Sequence, residues 1–117
     1  MRITSIPEVG SESRAVHGTA DSTSLVTIAN ISGAGFLNCV VFYQATYLTA
    51  SSHNLQIEID DTVIVPDQLV HGLGVDHPAI STTFMPCYRF NTTMVVKAKK
   101  SVAGGMFARV TVLYTLD

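Results

Sequence analysis

The chain has no tryptophan, and only 14% of its residues are charged, against about 25% in ordinary soluble domains. With 47% of the residues hydrophobic, so few charges leave part of the apolar surface for other subunits to cover. The formal net charge of −2 gives no electrostatic reason for nucleic acid or an anionic membrane as a partner. No apolar run approaches the ~18–20 residues needed to cross a bilayer. The opening MRITSIPEVGSES lacks the apolar core of a secretory leader, so none is expected. Cysteine is scarce. Cys39 and Cys87 have no CxxC partner, and without a secretion signal the expectation is reduced thiols rather than a disulfide. Cys39 sits in an apolar strand pattern, where cysteine usually behaves as a small buried hydrophobe.

No stretch long enough for a helix shows the helical period. What is present instead is period two. In NLQIEIDDTVIV, residues 54–65, Leu55, Ile57 and Ile59 alternate with Gln56, Glu58 and Asp60, the mark of a strand with one buried and one wet face. Asp60-Asp61 then separates it from a β-branched run. This predicts a tight hairpin, since Asp tolerates the φ > 0 such turns need. LVTIANI (25–31) reads as a strand, and the Ser32–Gly35 segment as a turn or bulge. FLNCVVFYQA (36–45) is the longest apolar strand. Simple alternation puts Leu37, Cys39, Val41 and Tyr43 on one face and Phe36, Val40 and Phe42 on the other. A strand apolar on both faces is central in a two-layer fold or exposed to a partner.

Residues 46–53 read as a loop, and so does PDQLVHGLGVDHP (66–78), with one helical turn near 66–70. Pro86 splits 80–90 into two strand pieces, which implies an edge or a bulge. TMVVKAK (93–99) and MFARVTVLYTL (106–116) close the chain. The sum is an all-β, single-domain antiparallel β-sandwich or jelly roll over 25–117. Residues 1–24, rich in Ser, Thr, Gly and Ala, form either a loose arm or an extended arm that docks on a neighbouring subunit.

Chemical motifs are sparse. His71 and His77 flank a loop with Asp67 and Asp76 nearby, but the spacing matches no regular metal-ligand pattern, so surface or interface histidines are expected. Glu58, Asp60 and Asp61 crowd one hairpin end. Oxygen ligands there suit a hard cation, yet no DxDxDG loop exists, and a solvated strand face is the plainer reading. There is no GxSxG elbow, and the glycines at 33–35 join strand to strand rather than opening a helix, as a phosphate cradle requires. Lys97, Lys99 and Lys100 are too few to argue for nucleic acid and fit a guard against edge pairing. No catalytic residue, metal or cofactor is assigned, and the chain is not expected to be an enzyme.

The runs ISGAGFLNCVVF, NLQIEIDDTVIV, FNTTMVVKAKK and RVTVLYTLD resemble small β-sandwich structural proteins of tailed-bacteriophage virions. The resemblance covers 31–117 and rests on strand pattern and turn placement. Asp60-Asp61 stands where such proteins more often carry Asp-Gly. It implies a capsid decoration (cement), head-fibre or tail protein, frequently trimeric, located in the virion, with itself and other particle proteins as partners and no catalytic residues. The expected function is therefore a decoration protein that stabilises a shell. The alternative is a receptor- or carbohydrate-binding module, for which Tyr47 in a loop is the best aromatic candidate. The candidate oligomer or partner interface is Phe36, Val40, Phe42, Tyr47, Leu69, His71 and His77.

Overall fold

The computed structural model describes residues 12–45, 50–73 and 79–117. Among these, the elements are strands β1 (Glu12–Ala20), β2 (Val26–Ser32), β3 (Gly35–Gln44), β4 (Ser51–Ile59), β5 (Thr62–Leu73), β6 (Ile80–Phe84), β7 (Tyr88–Phe90), β8 (Thr93–Lys100) and β9 (Ala108–Leu116). They make two antiparallel sheets. One has the order β1-β9-β3-β6, with β7 also paired to β3; the other has the order β2-β8-β4-β5. Since β6 and β7 both lie along β3, one beside 40–44 and the other beside 35–37, they act as one strand interrupted at 85–87. The pairings β1 with β9, β2 with β8, β3 with β6/β7 and β4 with β5 are those of one long hairpin rolled over itself. That winding is a jelly roll.

Alternation along the strands builds the core. On β4, Leu55 and Ile57 are buried; on β8, Met94, Val96 and Ala98; on β9, Val110, Val112 and Tyr114; on β3, Leu37, Val40 and Phe42. Each large side chain in this layer contributes roughly 1.5–3 kcal/mol by leaving water. Two of the bulges shape it most directly. Ile28 is the extra residue where β2 meets β8, which lets adjacent Ile28 and Ala29 both enter the core. Asn38 is the extra residue where β3 meets β9.

The Asp60-Asp61 hairpin forms as expected. Both residues have positive φ, 51° and 66°, and they link Ile59 to its partner Thr62, as a type I′ turn requires. Gly35 is set by close approach: a Cβ there would lie 1.9 Å from the Thr115 carbonyl oxygen.

Four expectations need correction. The arm does not extend to residue 24, because Glu12–Ala20 is β1, paired to β9 along its whole length; backbone pairing, with Val16 and Ala20 turned to the core, orders this weakly hydrophobic segment. Residues 1–11 lie outside the described residues. Next, 66–73 is not a loop with a helical turn but the second half of β5. The strand tolerates Pro66 because β5 is a sheet edge and Pro66 falls where the register with β4 shifts. The predicted 46–53 loop is shorter as well, with β4 beginning at Ser51. Finally, the faces of β3 change parity at the Asn38 bulge. Leu37, Val40 and Phe42 all point inward, while Phe36, Cys39, Val41 and Tyr43 lie off the core face.

Candidate assembly surface

That parity change decides where a partner can bind. Val40 and Phe42 are fully buried between the sheets, so they hold the core and are unavailable to another subunit. Phe36 is 43% exposed on the outer face of the β1-β9-β3-β6 sheet. Leu69, 57% exposed, lies on edge strand β5 of the other sheet. His71 lies on β5 opposite His53, but its side chain is not among those described. Tyr47 and His77 lie outside the described residues. Among the described side chains of that set, the two exposed ones, Phe36 and Leu69, therefore lie on different sheets.

The register shows what does converge. Across the outer face of the β1-β9-β3-β6 sheet, one row runs Ala15–Leu113–Cys39. The next runs His17–Thr111–Val41–Thr83. Neither row carries a formal charge. Tyr43 borders them at 47% exposure and Leu113 lies within them at 37%. His17 Nδ1 lies 3.0 Å from Thr111 Oγ1. At one end Arg89 sits 5.2 Å above the Phe36 ring and donates two hydrogen bonds to the Asp117 carboxylate, at 2.9 and 2.6 Å. This contact lowers the Asp117 pKa and raises that of Arg89.

The opposite sheet has a wet outer face. Lys97 pairs with Glu58 at 3.8 Å and Lys99 with Asp67 at 2.8 Å. Asn54 donates to Asp67 at 2.7 Å and accepts from the Ser101 hydroxyl. The bond from Lys99, then the one from Asn54, holds the Asp67 carboxyl below its usual range. One face of the sandwich is thus laced with charge pairs, while the two middle rows of the other carry no formal charge and mix Ala15, Leu113, Cys39 and Val41 with His17, Thr111 and Thr83, Arg109 lying in the next row opposite Tyr43.

The acidic side chains of the hairpin are turned to separate partners. Glu58 reaches across the sheet to Lys97, whereas the Asp60 carboxylate caps the turn at 91–93. It accepts from the backbone N–H of Asn91, Thr92 and Thr93 at 3.0, 2.7 and 3.1 Å, and from the Thr92 hydroxyl at 3.0 Å. The Thr92 and Thr93 amides in particular bring its pKa down to about 2. No group of three or more His, Cys, Asp or Glu side chains gathers as metal ligands among the described residues. His53, by contrast, is fully buried. Its Nε2 lies 2.8 Å from the Met106 carbonyl oxygen, and Ser51 Oγ accepts from the Met106 amide at 3.0 Å, so this pair fastens the segment before β9 to β4.

No protein-family model matches the chain, and no curated protein matches it in sequence. Among solved structures, it is similar to a chain in the structure of infectious bursal disease virus, Gt strain, with a TM-score of 0.51 and 11% identity. The match covers 91% of this chain but only 33% of the viral one. At that identity the likeness is one of fold.

Proposed function

We propose that this chain is a non-enzymatic virion structural protein, a phage capsid decoration (cement) protein that assembles as a homotrimer. The observation that carries the reading is the uncharged middle of the β1-β9-β3-β6 outer face, with Leu113, Cys39 and Val41 among its residues, on a jelly roll whose other face is charge-paired. A lone domain gains nothing from holding Leu113 and Tyr43 in water, whereas a symmetric assembly removes them from it. The second support is the fold likeness to a chain from a virus structure. The low charge fraction agrees. In this reading the partners are further copies of the chain and the shell proteins of the same particle.

Light scattering on the purified full chain tests it. The expected mass is three times the 12.6 kDa chain, persisting at micromolar concentration. A chain that remains monomeric throughout that range removes the assembly reading.

A further inference from the structure

The two free cysteines lie on either side of a place where β3 and its β6/β7 neighbour are both irregular. Leu37 pairs with Tyr88, so one more step in register sets Asn38 opposite Cys87. From the other side, Val40 pairs with Phe84, which sets Cys39 opposite Met85. The Asn38 bulge therefore faces the 85–87 break. The bulge keeps Cys39 off the core side, between inward Leu37 and inward Val40. Across the gap, Cys87 takes a left-handed φ of 52° directly after Pro86, a conformation non-glycine residues rarely adopt. Its Sγ lies 3.9 Å from the carbonyl oxygen of Asn38, the residue adjoining Cys39. Cys87 is exposed and Cys39 half-buried. Burial, and then the neighbouring Cys87 thiolate, push the Cys39 thiol up.

We propose that Cys39 and Cys87 are a vicinal redox pair, free in the reduced chain and closing to an intramolecular disulfide when a small disulfide oxidant is supplied. The exposed Cys87 thiolate attacks one sulfur of glutathione disulfide and releases one glutathione thiolate. The Cys39 thiolate then attacks Cys87 Sγ in the mixed disulfide and releases the second. The two protein thiols lose two electrons in all, which reduce the oxidant to two glutathione molecules, and the two thiol protons pass through solvent to the released thiolates. The bond would tie β3 to the interrupted β6/β7 strand and close a loop of roughly fifty residues, long enough to restrict the unfolded chain appreciably. This pairing is a property of the chain itself and stands apart from the virion reading.

The test is to treat the reduced, folded full chain with glutathione disulfide and follow intact mass, peptide mapping under non-reducing conditions and the thermal midpoint. The expected product is a chain lighter by two hydrogen atoms, a single peptide pair joined through Cys39 and Cys87, and a midpoint raised by several degrees that dithiothreitol reverses. Cys39→Ser should instead hold a stable glutathione adduct on Cys87, with no internal bond and no comparable rise. Wild-type chains that accumulate stable glutathione adducts, cross-link to one another through disulfides, or keep both thiols free would overturn the proposal. The wild-type mapping decides the matter even if a serine variant folds poorly.

Discussion

Asp60 shows how one side chain can do the work of a turn. Its backbone supplies one of the two positive φ values of the β4–β5 hairpin, and its carboxylate satisfies three consecutive amides on the turn before β8. Because its pKa falls from the ordinary 3.8 to about 2 on folding, the unfolded chain binds this proton more readily. The stability it supplies is therefore fully present above about pH 4 and lost as the pH falls from 4 towards 2. Asn at this position keeps an acceptor and tolerates the same φ, but cannot titrate. Asp60→Asn should flatten the pH dependence of the urea midpoint between about pH 4 and 2 relative to wild type, with little difference in shape above pH 5. An unchanged acid slope would mean the cap is not formed in solution. Gly35 is a steric counterpart. An added Cβ meets the backbone oxygen of Thr115, not a side chain that could swing away. Gly35→Ala should cost about 3 kcal/mol or more in urea unfolding, at the upper end of overpacking effects.

At the scale of elements, legibility followed side-chain pattern and failed where backbone events decided the outcome. The β4–β5 hairpin was readable because Leu55, Ile57 and Ile59 alternate up to two turn-forming residues. The inward face of β3 was not, since nothing about Asn38 announces a bulge, and one extra residue reverses every side chain after it. This single event moved Val40 and Phe42 from the candidate interface to the core and brought Cys39, Val41 and Tyr43 onto the outer face with Phe36. β1 was missed because Ser13, Gly18 and Thr19 look like loop residues, and only β9 makes them a strand. The segment from Pro66 read as a loop, yet an edge strand has a free side on which the missing N–H costs little. The hairpin itself still carries a local cost: Asp61 holds φ 66°, where glycine is freer. Asp61→Gly should raise stability by ~0.5 kcal/mol, the relief of the left-handed backbone being partly offset by glycine's greater unfolded entropy. A matched pair of urea melts would register it as a higher midpoint at unchanged slope.

For the whole molecule, the decisive contrast is between its two outer faces, and it can be tested with one substitution on each. Leu113 lies between Ala15 and Cys39 in the uncharged middle of the β1-β9-β3-β6 face. In an isolated domain its 37% exposure makes Leu113→Lys a mild change, because the lysine stem can lie along the sheet and leave its ammonium in water. In an assembly that covers this face, the same ammonium is buried without a partner, at a cost of several kcal/mol per interface. Glu58→Gln on the opposite face removes only the 3.8 Å pair with Lys97, worth about 0.2–1 kcal/mol. Leu113→Lys should therefore convert the proposed oligomer to a monomer in light scattering while its fold, followed by far-UV circular dichroism, remains intact. Glu58→Gln should leave the mass unchanged. If Leu113→Lys keeps the oligomer and Glu58→Gln dissolves it, the charge-paired sheet is the one that assembles, and the uncharged rows across Leu113, Cys39 and Val41 do not drive association.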